Sequence, residues 1–212
     1  VIPQFHDTRN RYRQLEEAIR EDRVGRVKEV QEEIAFIQNR KADCFLLYDL
    51  LDEGVLPLRV THNDTKLNNI MFDSETKEPL CIVDLDTVMP GLVLFDFGDS
   101  IRFGANDCAE DEPDLSKVNF DFDLYETYVK GFIEGTNGIL TEAELEYLPW
   151  GARVITLEQG IRFLTDYING DVYYATTRPG QNLDRARTQL KLVQDMENVW
   201  DKMVEAVKNA QK

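Results

Sequence analysis

The densest cluster of chemically competent side chains is Val60-Thr61-His62-Asn63-Asp64-Thr65-Lys66-Leu67-Asn68-Asn69-Ile70, a polar loop in an apolar frame. Further along, the apolar run Cys81-Ile82-Val83 ends in Asp84, with Asp86 two residues on. An amide oxygen from Asn69 beside the Asp84 carboxylate suits a divalent cation. Magnesium prefers oxygen ligands, usually one or two carboxylates completed by phosphates and water. A separate carboxylate near a bound hydroxyl, here Asp64, can orient it and accept its proton during phosphoryl transfer. Lys66 places a cation between them, where it could meet the negative charge of a moving phosphoryl group.

These groups need an element that brings them together. Asn69–Asp73 and Pro79–Asp84 read as β-type runs around the polar stretch Ser74-Glu75-Thr76-Lys77-Glu78. Pairing Asp73 with Leu80 in a simple hairpin puts Asn69 opposite Asp84, and directly opposed residues of antiparallel strands lie about 5 Å apart. Asp64 then sits in the loop just upstream.

The rest of the chain reads as helix. Apolar residues recur at helical spacing over 10–40, and a break at Gly25 is allowed but not required. Cys44–Leu51 is a short apolar helix stopped by Gly54. Thr141-Glu142-Ala143-Glu144 is a capping box opening one helix, Trp150–Ile168 is a second, and Asn182–Asn209 is a long final one. Residues 107–126 are strongly acidic and read as a solvated loop and helix start. The expectation is one unit over 1–212, mainly α with a small β-hairpin.

Charge and composition exclude several classes. Lys+Arg is 24 against Asp+Glu 40, a net charge of −16, which repels nucleic acid and anionic membranes alike. Hydrophobic content of 42% excludes wholesale disorder. No apolar run approaches the roughly 20 residues a bilayer span needs, and no signal-peptide pattern opens the chain. Cys44, Cys81 and Cys108 form no CxxC pair, which points to reduced thiols in a cytoplasmic protein rather than to zinc or a disulfide framework.

His62, Asp64, Asn69 and the strand-ending Asp84 resemble the His-x-Asp-x-x-x-x-Asn and strand-Asp pattern of the aminoglycoside phosphotransferase and choline kinase superfamily, which has a protein-kinase-like fold. The resemblance implies that Asp64 is the catalytic base, that Asn69 and Asp84 hold Mg2+, that ATP is the phosphate donor, and that His62 is structural. Val83-Asp84-Leu85-Asp86-Thr87-Val88-Met89-Pro90-Gly91, Phe95-Asp96-Phe97-Gly98-Asp99-Ser100-Ile101-Arg102-Phe103 and Gly160-Ile161-Arg162-Phe163-Leu164-Thr165-Asp166-Tyr167 are similar to N-acetylhexosamine 1-kinases. That narrower similarity implies a sugar acceptor contacted by Arg162 and Tyr173. Asp86 and Asp96 are expected to support the loop.

One departure is large. The family's N-terminal lobe carries a phosphate-covering loop and an ATP-pairing lysine, and neither pattern occurs here. The chain therefore resembles a C-terminal lobe, expected to bind ATP weakly and turn over little without the missing lobe. Bland readings stand beside these. Lys66 could be a surface lysine and Asp86 a turn acid. Arg162 could pair with Asp166 at i,i+4, worth about 0.2–0.5 kcal/mol. Tyr173 could simply pack. His6 shows no partner in the sequence. Ile82-Val83-Asp84-Leu85-Asp86-Thr87 also fits the start of a haloacid-dehalogenase-type phosphatase, with Asp84 as nucleophile, but no β-α series follows it. An inactive kinase-like interaction module is the non-enzyme alternative.

Overall fold

The computed structural model describes residues 1–212, folded into eight α-helices and two short antiparallel ribbons. Asp7 caps α1 (Thr8–Glu21), accepting from the Asn10 amide at 2.9 Å, and α1 buries Tyr12, Leu15 and Ala18. Asp22 and Gly25 then adopt left-handed backbone, so the helical pattern over 10–40 is split and resumes as α2 (Gln31–Gln38). Arg26 fastens this turn by donating to the Tyr167 carbonyl at 2.8 Å and to Asp171 at 2.5 Å. α3 (Asp43–Asp52) follows, with Gly54 at φ +74° turning the chain away after it.

β1 (Arg59–Thr61), β2 (Ile70–Phe72), β3 (Pro79–Ile82) and β4 (Met89–Gly91) form the pairs β1–β4 and β2–β3. The β1–β4 ribbon is an addition to the single hairpin expected. The hairpin register also differs from expectation. Ile70 faces Ile82, Met71 faces Cys81, and Phe72 faces Pro79 across a bulge. The Asp73 carboxylate accepts from the Glu75 and Thr76 amides at 2.9 and 2.8 Å, which folds the turn, and the Asp73 amide donates to the Glu78 carbonyl at 2.9 Å rather than pairing with Leu80. Asn69 therefore lies against Val83, whose amide donates to its carbonyl at 2.9 Å, and Asp84 sits one residue beyond.

α4 (Val93–Gly104) and α5 (Phe122–Gly135) lead into α6 (Glu142–Ile168), the axis of the molecule. At 27 residues, α6 is about 40 Å long. It is one helix where two were expected. Pro149 removes a single backbone donor from its interior, while the Thr141–Glu144 capping box and burial on nearly every face hold the helix straight through. One core joins it to α3, α4 and α5 through Leu94, Phe97 and Tyr125. The other joins it to α1 and α2 through Leu15 and Ile37. α4 crosses α6 so closely that a Cβ on Gly98 would overlap the Gly151 carbonyl, and one on Gly151 would overlap that of Leu94.

The long final helix of the sequence reading is two, α7 (Gln181–Asn198) and α8 (Trp200–Ala210), separated by Val199 at φ −115°. The break lets Trp200 meet Trp150 edge-on, with ring centroids 4.9 Å apart. The acidic run supplies the α5 cap, Asp121, and a partner for Arg178 in Asp111. All three cysteines are free, and burial pushes the Cys44 thiol up to about 12. No helix is long and apolar enough to cross a membrane.

Candidate active site

The loop after β1 is held from three directions. Asn63 takes left-handed backbone at φ 65°, and its side-chain amide donates to the Thr61 and Thr87 carbonyls at 3.2 and 3.0 Å. The Thr61 hydroxyl donates to Asn63 Oδ1 at 2.9 Å, and Gly91 leaves room for that pair, since a Cβ there would lie 2.7 Å from Asn63 Oδ1. From the first turn of α4, Asp96 accepts the His62 and Asn63 amides at 2.8 and 2.6 Å. Burial pushes the Asp96 carboxyl above its ordinary range, opposed by those two amides. Thr65 Oγ1 donates to the Asp96 carbonyl at 2.5 Å.

His62 links the loop to the hairpin. Its Nδ1 accepts the Asp64 amide at 3.3 Å, so Nε2 carries the proton and donates to the Val83 carbonyl at 3.1 Å. The residue after Val83 is Asp84, exposed and left-handed at φ 62°. A non-glycine residue in that region is a strained position, of the kind that clusters at functional sites. Asp86 is exposed in the following turn, Leu85–Thr87.

Asp64, Lys66 and Asn69 are in direct contact. Lys66 Nζ lies 2.7 Å from Asp64 Oδ2. Asn69 Nδ2 donates to the same oxygen at 2.9 Å and to the Asp64 carbonyl at 2.8 Å. With its amide nitrogen engaged, Asn69 has its oxygen for a cation, and Asp84 follows the residue paired to Asn69. The molecule contains no group of three or more His, Cys, Asp or Glu side chains able to hold a metal. An amide oxygen and one carboxylate fit a hard cation that draws its remaining ligands from phosphates and water rather than from a protein cage.

Asp64 and Lys66 line a cleft of about 570 Å³ together with Arg102, Arg162, Tyr174 and Arg185. Arg102 is bound by Asp99 at 2.9 Å and Glu110 at 3.0 Å. Arg162 donates to Gln159 at 3.0 Å, with its guanidinium 5.6 Å from the Tyr174 ring centre. It does not pair with Asp166, which instead accepts the amides of Val172, Tyr173 and Tyr174 at 3.0, 2.8 and 3.0 Å. Asp166 thereby fixes the loop after α6. That loop turns Tyr174 into the cleft and leaves Tyr173 73% exposed, in a neighbouring groove of about 390 Å³ that shares Arg162. Asn69, Asp84 and Tyr173 do not line the cleft. Sequence reasoning missed Arg102 and Arg185 as cleft residues, and it assigned the sugar contact to Tyr173 with Tyr174 only as a neighbour or packing residue, whereas Tyr174 lines the cleft. It also missed the Thr61–Asn63–Gly91 packing, because single polar residues in loops carry no periodic signal.

The profile of the phosphotransferase enzyme family, APH, matches residues 1–128. The chain belongs to that family. Membership implies ATP as phosphate donor and usually a divalent metal. The matched stretch contains the loop, both ribbons and α4, and Asp64, Asn69 and Asp84 lie within it. Arg162, Tyr173 and Tyr174 lie outside it. The strand that precedes Asp84, β3, belongs to an antiparallel two-stranded ribbon in this phosphotransferase, not to the parallel sheet a haloacid-dehalogenase-type phosphatase would need.

Proposed function

We propose that this phosphotransferase moves the γ-phosphate of ATP to a sugar hydroxyl, and that the hydroxyl is the anomeric one of an N-acetylhexosamine. Asp64 orients the hydroxyl and takes its proton. Asn69 and Asp84 are the residues that would hold Mg2+, which when bound neutralises charge on the ATP phosphates. Lys66 offsets charge on the transferred group. Arg162 and Tyr173 hold the sugar, Tyr173 from the adjoining groove. His62 and Asp96 keep the loop in place, and Asp86 supports the Asp84 turn.

The observation that carries the acceptor class is the presence of two unpaired guanidinium groups in the cleft that Asp64 lines. Arg162 and Arg185 have no carboxylate partners, since their hydrogen bonds go to Gln159, the Ala175 carbonyl and Asn182. Two uncompensated guanidinium groups repel an ammonium-bearing acceptor of the choline or aminoglycoside kind and offer donors to neutral hydroxyl or acetamido oxygens. Tyr174 and Phe163, ring centroids 4.7 Å apart, add an apolar face.

The same reading seats a nucleotide-covering lobe of the same protein on the exposed apolar side chains of the hairpin. Met71, Phe72, Leu80 and Ile82 are 50, 45, 65 and 59% exposed. Robust sugar-dependent ADP release by residues 1–212 alone would overturn that part.

A panel of N-acetylhexosamines, hexoses, choline, homoserine and an aminoglycoside, each with Mg-ATP, tests the acceptor, with products mapped by NMR. A sugar 1-phosphate is expected. Phosphorylation of an amino alcohol but of no sugar would overturn the reading, as would phosphate release from a sugar phosphate without ATP.

A further inference from the structure

His6 lies 57 residues before the catalytic loop, yet its ring reaches it. Nε2 sits 2.8 Å from the carbonyl oxygen of Asn63, which belongs to the peptide joining Asn63 to Asp64. Nδ1 sits 3.3 Å from Glu158 Oε1, in the middle of α6. The side chains are 9% and 1% exposed. Phe5 and Phe95 clamp the ring, with centroids 4.6 and 5.3 Å away.

Both partners accept and neither donates. A neutral imidazole has one N–H and would leave one contact unmade, whereas an imidazolium donates to both. The surroundings favour that charge. Burial opposes it, but Glu158 and the Asn63 carbonyl outweigh burial, and the His6 pKa is raised. Glu158 faces His6 from α6, and Asp99 and Asp96 approach it from α4. Glu158 is also approached by Arg11 of α1, its Nε 3.9 Å from Oε1, and by Tyr48 and Cys44 of α3. Glu158 Oε2 and Arg11 Nε are buried without partners, so His6 is the one group hydrogen-bonded to that carboxylate.

Asn63 is thus gripped at both ends of its backbone. Asp96 holds its N–H, and His6 holds its carbonyl. His6, Asn63 and Asp64 line the same cleft, and with Asn63 in left-handed backbone the hydrogen bond from His6 fixes the plane of the peptide that leads into Asp64. We propose that His6, as an imidazolium anchored on Glu158, is a positioning residue that fixes the Asn63–Asp64 peptide and so aims the Asp64 carboxylate. The inference rests on the reading of Asp64 as the base for its kinetic consequence, but not for its structural one.

The chain has two histidines, so ring-nitrogen NMR with a His62→Gln spectrum for assignment isolates His6. At pH 7 the wild-type His6 ring should show two protonated nitrogens. His6→Leu should speed amide exchange across residues 62–69 at least about tenfold. His6→Gln, which can still donate to the Asn63 carbonyl, should restore most of that protection. In the active enzyme, His6→Leu should lower kcat about tenfold or more while acceptor KM stays within about twofold, with partial rescue by Gln. A neutral His6 ring at pH 7, or unchanged loop exchange in His6→Leu, would overturn the proposal. If exchange responds as expected while wild type and variants all lack sugar kinase activity, the sugar kinase reading fails and the strap stands.

Discussion

Asn69 donates its side-chain amide to Asp64 twice, to the carboxylate at 2.9 Å and to the backbone carbonyl at 2.8 Å. The proposed base and the proposed first metal ligand are therefore one unit. The bonds that orient the carboxylate use the amide nitrogen of Asn69 and leave its oxygen out of the contact. Lys66 completes the unit at 2.7 Å.

Asp64→Asn keeps the shape of the side chain and removes its ability to take a proton. In steady-state assays of the full enzyme, kcat should fall about 10²–10⁴-fold with acceptor KM little changed. Turnover within a few-fold of wild type would remove Asp64 from the base role.

Asp84→Ala should raise the magnesium concentration needed for half-maximal rate and weaken Mg-ATP binding by calorimetry. Asn69→Ala should do both of these and also lower kcat at saturating magnesium, because it frees the Asp64 carboxylate. Equal behaviour of the two variants at saturating magnesium would contradict the coupling of Asn69 to Asp64.

Asp96→Ala strands the His62 and Asn63 amides, which it now accepts at 2.8 and 2.6 Å. Each orphaned donor costs up to about 1–3 kcal/mol, and these contacts are only partly buried, so urea denaturation should show a loss of about 1–3 kcal/mol in all at unchanged m-value. A loss under about 0.5 kcal/mol would mean that Asp96 does not hold the loop.

Two glycines should separate stability from function. At Gly98 a Cβ meets the Gly151 backbone at the α4–α6 crossing, so Gly98→Ala should cost about 1–3 kcal/mol or more in denaturant titrations. At Gly91 a Cβ meets the Thr61 and Asn63 side chains, so Gly91→Ala should lower kcat more than it lowers Tm. Equal effects on both quantities at both sites would contradict this division.

Glu144 gives the acid response a defined sign. Burial disfavours its charge, but Arg59 at 2.5 Å and the Thr141 amide at 2.8 Å outweigh burial and hold its carboxyl below the ordinary value of 4.5. The stabilisation from this lowered pKa is present above pH 4.5 and is lost as the pH falls from there through the lowered value. Urea midpoints measured from pH 6 down to pH 3 should decline, and Glu144→Gln should flatten the decline. An unchanged slope in the variant would show that the ion pair between β1 and α6 contributes nothing to acid stability.

Local chemistry made part of this protein legible in its sequence. Polar residues at fixed offsets in an apolar frame marked the Asp64–Asn69 loop. Period and cap signals marked the helices, as with Thr141 and Glu144, because those signals act within one or two turns. Length and continuity were another matter. Pro149 lies within one helix and Val199 divides another, because packing on α6 and the Trp150–Trp200 contact outweigh local preference at those positions. The hairpin register moved by one residue because the Asp73 side chain folded the turn, an interaction that strand pairing rules do not contain. The contacts that aim the base are between residues distant in sequence: Asp96 to His62 and Asn63, and His6 to Asn63 and Glu158. The sequence by itself determined which groups could carry the chemistry. Only the tertiary structure decided where each one points, because orientation is set by hydrogen bonds and close helix crossings between segments that no sequence spacing relates.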